Sequence, residues 1–181
     1  LRDKRENKKN KKKLIKKITL KYKYKMDYKK VCKTMYDFQY RNNIKNECTT
    51  NATIMYDYLK CCGMKNIKVK PIIVIGFRNK IPVIVRGHVV IDIGNDDLIE
   101  CSYDVSIIED AKYIDNVKNL FYITSNISPD DKKVIIKDAL AFKKIADDIN
   151  NGKFHIASDK VYNEQLDYIE KKCNMKFISK K

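Results

Sequence analysis

From Ile67 onward the apolar side chains fall at every second position: Ile67, Val69, Ile73, Ile75 and Phe77, and later Val89, Ile91 and Ile93. A period of two marks a strand with one buried face. Just upstream the period is helical. Ala52, Met55, Tyr56, Leu59 and Cys62 follow the i, i+3, i+4, i+7 stripe. Gly63 separates the two regimes as the usual residue of a left-handed helix C-terminus. The chain is therefore read as α+β, with a buried helix leading into strands.

Three segments, NIKVKPIIVIGF, IPVIVRGHVVIDI and DLIECSYDV, read as successive strands, with RNK and GNDD as the turns. Turns this short join antiparallel neighbours and predict a meander. A helix is predicted over residues 31–40, followed by the polar loop RNNIKNE. From Ser106 onward the chain is predicted to be mostly helical. Ser128 then Pro129 pairs a capping residue with the residue favoured at the first helical position. That helix carries an apolar stripe to Gly152, and a last helix is predicted over 159–173.

The length of 181 residues suffices for one domain with a substantial core. The expected organisation is a basic, partly disordered arm over residues 1–30 and a single α+β domain over 31–181. Within that domain the core spans 46–105 and the helical part 106–181. The net charge of +16 is uneven: residues 1–30 hold 15 Lys/Arg against 3 Asp/Glu, and the other 151 hold 24 against 20. Self-repulsion and low apolarity predict disorder in the first half of the arm. Its function is read as a clamp for nucleic acid or another polyanion, set against a merely solubilising tail. No run approaches the ~20 apolar residues of a membrane span, so no membrane association is expected. The basic opening has no long apolar core and does not read as a signal peptide.

The six cysteines, Cys32, Cys48, Cys61, Cys62, Cys101 and Cys173, are too sparse for a disulfide framework. They read as reduced thiols of a cytoplasmic, reducing compartment. The abundance of Lys, Asn, Ile and Tyr points to an AT-rich genome, a viral one included. No C-x-x-C pair exists and the two histidines lack ligand spacing, so neither a metal nor a cofactor is expected. The Cys61–Cys62 pair reads as a helix end packed into the core.

Cys48 stands at the start of the buried helix, one turn before Ala52 and on the same inward face. Thr49, Thr50 and Asn51 are expected to supply the capping, leaving the thiol free. A thiol at a helix N-terminus is favoured as thiolate by the dipole and by free backbone N–H groups. The same N–H groups can hold a developing oxyanion. A base is then needed, and only His88 and His155 offer an imidazole. His155 lies in GKFHIAS with no acid close in sequence and is read as structural. His88 lies in RGHVVIDIG, after a Gly87 that would let a backbone or substrate approach closely.

Strand parity then selects its partner. Val89, Ile91 and Ile93 form one face, and Ile99, Cys101, Tyr103 and Val105 form the apolar face of the next strand. The two faces coincide only if facing residue numbers sum to an even number, which requires an odd-length loop. His88 then shares its face with Glu100, Ser102 and Asp104. An acid beside a histidine fixes its tautomer and supports the imidazolium. Glu100 is the favoured partner and Asp104 its competitor.

A helix opened by Cys in CTTNA, a Gly before strands, a His opening HVVIDI and an acid in IECSY resemble the transglutaminase-like branch of the papain-like cysteine-protease fold. The resemblance covers residues 46–105. It implies a papain-like core, with the catalytic helix packed on an antiparallel meander and additional C-terminal helices. It also implies a catalytic set of Cys48, His88 and Glu100. The family more often has Asp where Glu100 stands, and Val90 stands where it has an aromatic residue. An upstream amide often assists the oxyanion in this fold, and Asn42, Asn43 and Asn46 are the candidates. The expected activity is acyl transfer through a thioester, with a protein or peptide as substrate. Water as acceptor gives a thiol peptidase, isopeptidase or amidase, and a lysine amine gives a transglutaminase. The alternative is a catalytically inactive module whose basic arm binds nucleic acid or serves a structural role in a particle.

Overall fold

A computed structural model describes residues 27–78, 81–95, 97–108, 112–114 and 128–177. All but the last four residues of the 1–30 arm fall outside these, as do most of residues 109–127. The elements in chain order are α1 (Tyr28–Arg41), α2 (Cys48–Cys61), β1 (Lys68–Arg78), β2 (Ile81–Asp92), β3 (Leu98–Ile99), α3 (Tyr103–Ser106), β4 (Lys112–Ile114), α4 (Pro129–Asn150) and α5 (Asp159–Cys173). The fold is mixed α+β. The strands form an antiparallel sheet of order β3-β2-β1-β4.

α1 begins at Tyr28, inside the stretch assigned to the arm. Asp27 caps it, accepting from the Lys30 N–H at 2.9 Å, and this local cap outweighs the surrounding lysines. α2 ends as Gly63 predicts. Gly63 takes a φ of 88°. Its N–H donates to Lys60 O at 2.9 Å and that of Met64 to Leu59 O at 3.1 Å, the paired bonds of a Schellman motif. α2 is buried on nearly every side, with Asn51, Thr53, Ile54 and Tyr58 inside beside the predicted stripe. A helix so enclosed is a core helix. Of the Cys61–Cys62 pair, Cys62 packs against the core but Cys61 is exposed.

β1 and β2 pair along their length, with Ile72 opposite His88 and a register shift at Gly76/Phe77. One face of the sheet carries Val69, Val89 and Ile91, packed in a core with α2, α5 and the end of α4. On the same face Ile73 and Ile75 pack with Ile135 and Ala139 of α4. The other face carries Ile72, Val74 and Val90, covered by Val105 and Ile108. Ser128 caps α4 by accepting from Asp131 N–H, with Pro129 in its first turn. Among the described residues no helix is long and apolar enough to cross a membrane.

Two expectations are corrected. The third strand stops at Ile99, and Tyr103–Ser106 is a helical turn preceded by Ser102. The alternation of apolar residues suits a strand, but a Ser at the cap and an Asp in the first turn favour a helix start. The described residues after Ser106 are mostly helical, as expected, and the second correction concerns the sheet. Lys112–Ile114 pairs with Ile73–Ile75 and adds a strand beside β1, so the sheet is more than a simple meander.

Gly87 is closely approached by two side chains of α4. Its N–H donates to Asp138 Oδ2. A Cβ there would fall 2.7 Å from Asp138 Oδ2 and 2.8 Å from Phe142 Cε2, both on α4. Gly87→Ala is therefore expected to destabilise the fold by about 1–3 kcal/mol through overpacking. Urea unfolding measures this, and Phe142→Ala in the same chain should recover part of the Gly87→Ala loss.

Candidate active site

α2 brings Cys48 inward: the residue is 9 % exposed and belongs to the main core. Glu47, which precedes it as N-cap, makes no side-chain cap hydrogen bond. The expected cappers are used elsewhere. Thr50 Oγ1 donates to Glu47 Oε2 at 2.6 Å and accepts from Ala157 N–H at 3.0 Å. Thr49 gives its carbonyl to Thr53, and the Asn51 amide bonds to Ser102 and Gln165. The first N–H groups of any α-helix have no intrahelical acceptor, so the start of α2 keeps donors beside the thiol.

β2 brings His88, which is 1 % exposed. Its Nε2 lies 2.9 Å from both Glu100 Oε1 and Oε2. Parity explains the meeting. Ile91 faces Ile99 and Asp92 faces Leu98, so facing numbers sum to an even number across the loop 93–97. Glu100 consequently follows β3 on the His88 side. Cys48 acts on the same ring, its hydrogen bond and charge both raising the His88 pKa.

The electrostatics favour a charged ring. Burial pushes the His88 pKa down, but hydrogen bonds to Cys48 and Glu100, and their charges, outweigh it and raise the value to about 9. Burial pushes Cys32 and Cys61 up to about 11, raises Cys62, and holds Cys101 well above the ordinary thiol range.

The remaining candidates have other uses. Asp104 is carried on α3 to Arg86, 3.1 Å from Nη2, and accepts from Asn46 N–H at 3.2 Å. Asn46 Oδ1 accepts from Arg86 Nη1 at 3.0 Å. Asn42 caps α1, its Nδ2 donating to Phe38 O at 2.8 Å. Asn43 stands in the following turn with a φ of 50°. His155 has an acid after all: its Nε2 is 3.0 Å from Asp148 Oδ2, on the last turn of α4.

Sequence reasoning missed the supports of the cluster. Two groups on α1 hold the Glu100 carbonyl, Tyr36 Oη donating at 2.6 Å and Cys32 Sγ at 3.0 Å. A buried chain of amides ties four segments together. Gln39 Nε2 donates to Cys101 O and Gln165 Oε1, both at 3.1 Å. Gln165 Nε2 donates to Asn51 Oδ1 at 2.8 Å, and Asn51 Nδ2 to Ser102 Oγ at 3.1 Å. Ser102 N–H then donates to Glu100 Oε1 at 2.8 Å. The start of α2 and the acid are thus fixed by one network. Its visible signal was a polar residue inside an apolar stripe, Gln165 beside Tyr162, Leu166 and Ile169. Asn51→Ala strands Ser102 Oγ and Gln165 Nε2 and is expected to cost about 1–3 kcal/mol, read from the urea midpoint.

No protein-family model, curated protein or solved structure matches the chain. The functional reading therefore rests on this geometry and its chemistry.

Proposed function

We propose that the protein is a cysteine hydrolase that cleaves a peptide, isopeptide or related amide bond through a thioester. Its core would then be a divergent member of the transglutaminase-like branch of the papain-like fold. One observation carries the reading: a single buried imidazole holds a carboxylate 2.9 Å away, and the helix-start thiol of Cys48 interacts with the same ring.

In this mechanism His88 holds Cys48 as an imidazolium–thiolate pair and Glu100 orients the ring. The thiolate attacks the substrate carbonyl. The N–H groups at the start of α2 receive the oxyanion. His88 then gives its proton to the leaving amine, and the thioester forms. Water, deprotonated by the now neutral ring, attacks the thioester and releases the acid. Hydrolysis is preferred to amine transfer because water is the default acceptor.

A fluorogenic peptide-amide library, with intact-mass detection of an acyl adduct, tests this. The native chain should turn over a subset of substrates, and Cys48→Ser should lose that turnover while keeping its melting temperature. Equal hydrolysis by both proteins would refute the proposal.

A further inference from the structure

Each segment that carries Cys48, His88 or Glu100 also carries, a few residues away, a member of a second polar cluster. Asn46 stands two residues before Cys48, Arg86 two before His88, and Asp104 four after Glu100. Two residues is the repeat of a strand, so Arg86 lies on the same face of β2 as His88. The three residues close a ring. Arg86 Nη1 donates to Asn46 Oδ1 at 3.0 Å, and Arg86 Nη2 to Asp104 Oδ2 at 3.1 Å. The Asn46 N–H donates to the same Asp104 oxygen at 3.2 Å. We propose that Arg86 is a positioning residue whose fork, through Asn46 and Asp104, sets the reach between the Cys48 thiol and the His88 ring. The inference rests on the hydrolase reading.

The buried amide network leaves this task open. It joins α1, α5, the start of α2 and the Glu100 segment, but none of these bonds reaches β2. β3 pairs with β2 at Ile91 and Asp92, beyond His88. Arg86 ties the His88 end of β2 to the other two segments. A guanidinium suits the task because its N–H groups lie in one rigid plane. Holding two partners at once therefore fixes their separation, which a single ammonium on a flexible stem does less well. Asn46 takes a φ of 61°, a left-handed conformation that Asn adopts more readily than most residues. This one residue offers its Oδ1 to Arg86 and its N–H to Asp104 just before α2 begins.

Alkylation of Cys48 by iodoacetamide in the full chain, followed by peptide mapping, tests this through the ratio of its rate at pH 6 to that at pH 9. A thiol held as thiolate reacts about as fast at both. An ordinary thiol, with a pKa near ~8.5, is more than about 100-fold slower at pH 6. Changed access to the thiol scales both rates alike and leaves the ratio unmoved. Asn46→Gly keeps the positive φ and removes the bond to Arg86. Its ratio should fall by at least about tenfold, because the pairing of thiolate and imidazolium weakens as they part. Its melting temperature should stay close to native. Arg86→Met keeps the stem, removes the fork, and should lower the ratio at least as far. The double variant should fall no further than Arg86→Met, since the two residues act through one contact. Drops that multiply in the double variant, or a native ratio kept in both single variants, would overturn the positioning role; the hydrolase reading would stand as long as the native ratio exceeds that of His88→Ala. A native ratio no higher than that of His88→Ala would overturn both.

Discussion

His88→Ala should lower turnover of an amide substrate by about 10²–10⁴-fold, the usual contribution of a positioned acid–base group. Two losses combine. In the proposed mechanism the thiol loses the cation that would hold it as thiolate, and the leaving amine loses its proton donor. The imidazole is also buried against Glu100, so truncation alone could act through packing. His88→Gln separates the two effects. Glutamine can still donate a hydrogen bond to Glu100, whose Oε1 also keeps the Ser102 N–H at 2.8 Å. It cannot carry a positive charge or relay a proton. It should therefore lose only the stabilisation that comes from the charged ring, melting close to the native protein at pH 9.5, yet fall within tenfold of the alanine variant in turnover. Turnover above a tenth of native in His88→Gln would remove His88 from the chemistry.

The second large effect concerns stability against pH. His88 titrates at about 9 in the fold because the hydrogen bonds and charges of Cys48 and Glu100 outweigh burial, whereas an unfolded histidine titrates near ~6.5. The fold thus binds this proton more tightly than the unfolded chain does. The resulting stabilisation is fully present below ~pH 6.5 and is lost as pH rises through about 9. It amounts to about 3 kcal/mol. Thiols contribute in the next window up, from about pH 9 to about 11. Cys32 and Cys61, pushed up to about 11 by burial, ionise earlier when unfolded and also favour unfolding in alkali. The comparison with Glu100→Gln cancels them. The gap in urea unfolding free energy between native and variant should be widest at pH 6 and narrow steadily toward pH 9.5. A gap constant across that range would mean that Glu100 does not hold the proton on His88.

The helix–glycine–strand order was legible because each part has its own local signal. α2 has a 3.6-residue stripe, Gly63 a conformation that other residues resist, and β1 and β2 a sustained alternation. Parity placed Glu100, Ser102 and Asp104 on the His88 face on condition of an odd loop, and the loop 93–97 meets that condition; the choice of Glu100 over Asp104 came from the fold. What escaped was either short or non-local. β4 has three residues, too few to show a period. The turn at Tyr103–Ser106 follows Ser and Asp chemistry that overrides an alternating pattern. Thr50 and Asn51 look like cappers, but tertiary partners claim their side chains. Gln39 and Gln165, 126 positions apart, are joined only by the fold. Nothing local marks such a pair, although each stands out as an amide at a buried position.

The central claim is that Cys48 is the activated thiol, and its alkylation by iodoacetamide at pH 6 tests this most directly. Peptide mapping reports the rate at each of the six cysteines. An ordinary thiol, with a pKa near ~8.5, is less than about 1 % thiolate at that pH. Cys48 is only 9 % exposed while Cys61 is exposed, so access favours Cys61 although partial burial raises its thiol to about 11, and the decisive reading is the Cys48 rate in the native chain against that in His88→Ala. The imidazolium pair favours Cys48 instead. Cys48 should react first, by on the order of 10²-fold, and His88→Ala should abolish that lead. Labelling that follows exposure, with Cys61 ahead and the overall rate unchanged in Cys48→Ala, would contradict the account.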